Sequence, residues 1–198
     1  MVESIRSSNS CRPLNKDGNA LESLDYLKNA LTEYRPVEAQ IVSAVTQLSE
    51  RERTLLSSED AMVRGMVMGN LYESLAYEAI IDIATKSELI KSIVRKGSDV
   101  SKSHRTRIGR FGQDGLFYDP NGKTIIRGNG IDLREIDYIL FDKNDRLLFC
   151  EAKLGGNYLK EFDYEIQYKR RLLEELFEKP GANNFAIMWG SGGVFSIE

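Results

Sequence analysis

The chain has 198 residues, 41% apolar and 29% charged, with a formal net charge of −3, which suits one ordered globular domain and a small helical appendage. Two cysteines, Cys11 and Cys150, and a single histidine, His104, exclude a disulfide framework and a four-ligand zinc site and leave a Ser-His-Asp triad improbable. No apolar run nears the roughly 18 residues that span a bilayer, and MVESIRSSNSCRP lacks the apolar stretch of a secretory signal, so a reducing cytoplasm is the expected setting.

Residues 1–18 are polar and rich in Ser, Asn and Gly, and read as a loose arm. LESLDYLKNALTEY (21–34) carries apolar residues at 21, 24, 27 and 31, a helical stripe. Pro36 suits the first turn of a second helix through VEAQIVSAVTQL. Ser57 and Ser58, followed by Glu59 and Asp60, read as the capped start of a third, long helix ending near Thr85. The expected division is an N-terminal arm and helical extension over 1–60 and a core over 61–198.

After Thr85 the pattern changes. ELIKSIV (88–94) is a β-branched run, and RFGQDGLFYD (110–119) leads through the turn signal Pro120-Asn121-Gly122 into TIIR. EIDYILFD (135–142) and RLLFCEAK (146–153) flank Lys143-Asn144-Asp145 as a hairpin. From Tyr158 to about Glu178 a helix is expected, because Leu159, Phe162, Ile166, Leu173 and Leu176 form one stripe, and Pro180-Gly181 ends it. NNFAIMWG reads as a buried strand and GVFSI as a short closing one. Helices, then strands, then a helix and a strand make an α/β or α+β layer fold, a central mixed sheet flanked by helices.

A chain of net charge −3 that binds nucleic acid must gather its basic residues on one face. Arg95, Lys96, Lys102, Arg105, Arg107 and Arg110 lie against a single Asp99, and Lys169, Arg170 and Arg171 form a second cluster. Lys102, Arg105, Arg107, Arg110, Lys169 and Arg170 are the expected DNA contacts; a solvated loop and a solvated helix face are the plainer alternative.

The hairpin carries the chemistry. If Asp142 pairs with Arg146 across the turn, the same register sets Asp137 opposite Glu151, with both side chains on one face. Lys153, two residues beyond Glu151, shares that face, while Ala152 points to the packed side. Like charges directly opposite on a sheet repel, and charged groups leaving the apolar run Leu147–Cys150 need a partner. A divalent cation supplies one: carboxylate oxygens, a backbone carbonyl and waters suit octahedral Mg2+, with Mn2+ as a substitute. Lys153 is placed to orient or deprotonate a water, or to stabilise charge on a phosphate.

Asp137 followed one hairpin later by Glu151-Ala152-Lys153 resembles the D…ExK signature of the PD-(D/E)xK nucleases, a superfamily with many restriction enzymes, archaeal Holliday junction resolvases and RecB-like nucleases. The resemblance covers roughly residues 65–190 and implies a restriction-endonuclease-like core that hydrolyses DNA phosphodiester bonds with Mg2+. It implies Asp137 and Glu151 as metal ligands with Lys153 beside them. In GNLYESLAYEAI it also implies Glu73, on the helix before the sheet, as a further metal ligand. Gln167 matches a polar Gln or Lys that supports the site from the following helix. Ile136 stands where the superfamily's name has Pro. Asp132 competes with Asp137 for the acidic position but sits at a loop end. Glu78, about 140° round the helix from the stripe that holds Gly69 and Glu73, is expected at the surface or in a salt bridge.

Two other readings stay open: a catalytically silent DNA-binding or assembly module that keeps the nuclease fold, and an adaptor whose N-terminal helices bind a partner or form a homodimer. His104 reads as a loop residue or phosphate contact, Cys150 as a small core residue, and Tyr158 and Trp189 as core or rim aromatics.

Overall fold

The computed structural model describes residues 18–94, 115–118, 123–154, 159–190 and 193–197. The basic stretch with Lys102, Arg105, Arg107 and Arg110 lies outside them, as do Cys11, His104 and Tyr158.

Four helices come first. In α1 (Gly18–Glu33) the stripe read from the sequence buries Leu27 and Leu31 completely. α2 (Glu38–Gln47) begins where the Gln40 side chain accepts a hydrogen bond from the Val37 amide at 3.0 Å. A short α3 (Glu50–Leu55), not foreseen in the sequence, is opened by a reciprocal cap: Ser49 Oγ accepts from the Glu52 amide and Glu52 Oε2 from the Ser49 amide. α4 (Ala61–Thr85) starts later than Ser57 and Ser58 suggest. Its cap is Asp60, whose Oδ1 accepts from the amides of Met62 and Val63, while Ser58 Oγ accepts from the Asp60 amide one turn earlier.

The strands form two sheets. β1 (Ile90–Val94), β5 (Tyr138–Asp142), β6 (Leu147–Lys153), β7 (Asn183–Gly190) and β8 (Gly193–Ile197) make one, in the order β1-β5-β6-β7-β8. Its pairs are antiparallel except β6 with β7, which run parallel because α5 (Leu159–Phe177) carries the chain back between them. β2 (Gly115–Tyr118), β3 (Thr124–Gly128) and β4 (Ile131–Ile136) form a separate antiparallel sheet. The expected single strand over 135–142 is therefore two. Ile136 ends β4, Asp137 lies at a bend, and Tyr138 begins β5 in the other sheet.

Strand alternation sorts the core into layers. Tyr138, Leu140, Leu148, Cys150 and Ala152 pack against α1 and α4, through Leu27, Leu31, Tyr77 and Ile80 among others. This cluster draws on both sides of residue 60. The opposite parity, Ile139, Phe141, Leu147 and Phe149, packs with Ile166 and Leu173 of α5 and with Leu116, Ile126 and Ile136 of the second sheet. The fold is mixed α/β, and no helix among the described residues is long and apolar enough to cross a membrane.

Candidate metal centre

The hairpin register is the one expected from the turn. Asp142 donates its amide to the Arg146 carbonyl at 3.0 Å, Phe141 pairs with Leu147, and Tyr138 pairs with Cys150. One step further sets Asp137 across from Glu151, on the face that α5 covers. Asp137 has left the ladder by then. Its Oδ2 instead accepts a hydrogen bond from the Ala152 amide at 2.8 Å, which pins the carboxylate beside β6.

Glu73 reaches this corner from the other side of the sheet. α4 packs on the Tyr138 face, and the Tyr138 hydroxyl donates to the Glu73 carbonyl. Because β5 begins only after the bend, the Glu73 side chain meets Asp137 there. Glu135 joins them from β4: an extended chain puts residues two apart on one side, and Glu135 and Asp137 flank the buried Ile136. One carboxylate oxygen from each of Glu73, Glu135 and Asp137 lies within 4.8 Å of the others, and all three residues are half-buried. Sequence reading missed Glu135, although its spacing from Asp137 was the available signal. It also missed Lys123, whose ammonium lies 2.5 Å from Glu135 Oε1.

Glu151 is buried next to this group. Its Oε2 accepts from Lys169 Nζ at 2.6 Å, with Lys153 Nζ at 3.8 Å, while its Oε1 is buried without a hydrogen-bond partner among the described residues. Burial pushes the Glu151 carboxyl above its ordinary range, against the pull of Lys169 and Lys153. Asp137 is pushed well up, first by burial and then by the charges of Glu151 and Glu73; Lys153 and the Ala152 amide only partly oppose this. Lys153 feels the reverse. Burial pulls its ammonium down, but Asp137, Glu151, Glu165 and Glu73 outweigh that and hold the proton more tightly than usual. Among the described residues the corner gathers more carboxylates than ammonium groups.

Two expected residues change places. Gln167 is exposed and, among the described residues, accepts only a long 3.5 Å contact from Arg170. It sits about 200° round α5 from Lys169, so it faces away from Glu151. Lys169, expected at the DNA surface, is 3% exposed and ion-paired with Glu151 and, at 3.3 Å, Glu165. The signal was its helical phase: Lys169 lies three residues after Ile166 and four before Leu173, on the buried stripe. Arg170 donates to Asn184 Oδ1, bracing α5 against β7. Asp132 is exposed and paired with Arg127 at 2.6 Å, in the second sheet away from the carboxylates. Glu78 is half-buried and accepts from Ser43 and Gln47, tying α2 to α4 rather than facing solvent. Neither a scan of protein-family models nor searches of curated proteins and solved structures returns a match to this chain.

Proposed function

We propose that this protein is a Mg2+-dependent nuclease with a restriction-endonuclease-like core, hydrolysing DNA phosphodiester bonds at the corner between α4, the bend at Asp137 and β6. The observation that carries the reading is the meeting of Glu73, Glu135 and Asp137 within 4.8 Å, beside Glu151 Oε1, which is buried and has no hydrogen-bond partner among the described residues. An all-carboxylate donor set is hard and anionic, which favours Mg2+ or Mn2+ over zinc or copper. Glu73, Glu135 and Asp137 would hold the cation with Glu151 alongside; when bound, it lowers the pKa of a water and offsets charge on a phosphate.

The chain's own residues do the rest. Lys169 fixes one oxygen of Glu151 and leaves the other available. The Ala152 amide holds Asp137 in place by one of its oxygens. Lys153, kept protonated by the acids around it, donates to a phosphate oxygen and stabilises the charge that builds there. Lys102, Arg105, Arg107 and Arg110 supply backbone contacts to DNA that carry no sequence information.

A cleavage assay on plasmid, linear and branched DNA with Mg2+, Mn2+ or EDTA tests the reading. We expect cutting with either metal and none in EDTA. Asp137→Ala, Glu151→Ala and Lys153→Ala should each lower the rate roughly 100- to 1,000-fold or more. The two carboxylate variants should also weaken metal binding, whereas Lys153→Ala should spare it. Cleavage that survives EDTA, or any of the three variants cutting at the wild-type rate, would remove the reading.

A further inference from the structure

Lys123 is the cation that faces the acidic corner from the second sheet. β3 pairs with β4 so that Thr124 stands opposite Ile136, and one more step sets Lys123 across from Asp137. Its ammonium sits 2.5 Å from Glu135 Oε1, and its side chain stays about one third exposed, at 35%. Glu135 is itself one of the three carboxylates that converge within 4.8 Å. Even with the Lys153 ammonium close to Asp137 and Glu73, Lys123 leaves the three carboxylates with more negative than positive charge. A divalent cation brings twice the charge and binds several oxygens at once, so it has the stronger claim on Glu135.

We infer that Lys123 and the divalent cation exchange on Glu135: Lys123 holds the carboxylate in the metal-free protein and, when the cation takes it, turns to a phosphate oxygen of the DNA backbone. The inference rests on the nuclease reading above and adds a phosphate ligand and a coupling between metal and DNA. The flexible four-carbon stem and rotatable ammonium of lysine permit such a swing, and the open side of Lys123 gives it somewhere to go. The device keeps half-buried acids together without metal, and it delivers a positive charge to substrate only when metal is present.

The test uses the full chain and two binding measurements. Mn2+ affinity of wild type and Lys123→Met is read by calorimetry or electron paramagnetic resonance. Binding of one DNA duplex is then titrated against salt in Ca2+ and in EDTA, with the duplex checked to remain intact. Lys123→Met should bind Mn2+ roughly 5-fold tighter or more, because a tethered like charge has gone. Its salt slope for DNA should shrink by about 0.9 in Ca2+, one phosphate contact, and stay unchanged in EDTA; Lys123→Arg should keep the wild-type slope. Glu135→Gln provides a second line: it releases Lys123 without metal, so its slope in EDTA should exceed that of wild type by a similar amount. Unchanged or weaker Mn2+ binding by Lys123→Met, or an equal loss of slope with and without Ca2+, overturns the exchange. If wild type binds Mn2+ and cuts DNA yet these shifts are missing, the exchange alone falls. If wild type binds no Mn2+, the nuclease reading falls and takes the exchange with it.

Discussion

Strand β5 has an aspartate at each end, and the two differ in nearly everything but residue type. Asp142, at the hairpin end, is fully buried. Its Oδ1 accepts from the amides of Asn144 and Arg146, and its Oδ2 from the Arg146 guanidinium and the Ser23 hydroxyl. Asp137, at the other end, accepts one amide and stands among Glu73, Glu135 and Glu151. The first carboxylate is satisfied by groups mostly within four residues of it, so it builds a turn. The second meets like charges from α4, from β6 and from Glu135 two residues before it, an arrangement that stability alone does not favour. Whether a buried acid is structural or chemical is decided by the sign of its neighbours.

The largest expected effect separates the two by substitution. Asp142→Ala strips the half-buried Arg146 guanidinium and two amides of their buried acceptor, and should lower stability by about 2–4 kcal/mol. Asp137→Asn keeps the shape and the bond from the Ala152 amide, and removes a repelling charge. The metal-free Asp137→Asn protein should therefore melt at or above the wild-type temperature while losing Mn2+ affinity. Urea denaturation and metal titration of both variants check this. If Asp137→Asn falls as far as Asp142→Ala, Asp137 is structural and the contrast collapses.

Much of this was legible in the sequence for a physical reason. A strand has a side-chain period of two, so once the turn between Asp142 and Arg146 is recognised, every residue of the hairpin is assigned a face. That placed Glu151 and Lys153 with Asp137 and turned Ala152 to the opposite side, which the structure shows to be the one that α1 and α4 cover. The break at Asp137 was not legible, because EIDYILFD is continuous in its β character and nothing in it marks a change of sheet. Glu135 consequently read as an ordinary member of the same strand, and its partner Lys123 sits just before β3, whose pairing with β4 went unread although Asn129-Gly130 marks the hairpin between them. Lys169 was misread for a different reason. Its basic neighbours Arg170 and Arg171 make the run look solvated, and composition outweighed helical phase. The DNA-binding role given to 102–110 lies outside the described residues.

A smaller effect follows from pH. Asp137 and Glu151 both titrate above their ordinary values in the folded protein, with burial the leading cause. A carboxyl whose folded pKa is raised stabilises the fold fully below its unfolded value near 4, and that contribution is lost as pH rises through the folded pKa. The metal-free protein should therefore lose thermal stability from about pH 4 upward, by an estimated 3 °C or more relative to Asp137→Asn. Saturating Mg2+ should remove most of that difference. Identical pH profiles for wild type and Asp137→Asn would show that the crowding at the corner carries no free energy.

The smallest effect probes the satisfied end. Ser23 is fully buried, and its hydroxyl donates to Asp142 Oδ2 at 3.3 Å, linking α1 to the hairpin turn. Asp142 keeps its four N–H donors when this hydroxyl is removed, so no buried charge loses its compensation. Ser23→Ala should lower stability by only about 0.5–1.5 kcal/mol, the usual net value of one hydrogen bond. The five residues of β5 separate the two ends by about 16 Å, so Mn2+ affinity should not move. For the same reason Ser23→Ala and Asp137→Asn should be additive within about 0.5 kcal/mol in a double-mutant cycle. A larger coupling would mean that the aspartates communicate along β5, and that the turn at Asp142 sets the bend at Asp137 instead of standing apart from it.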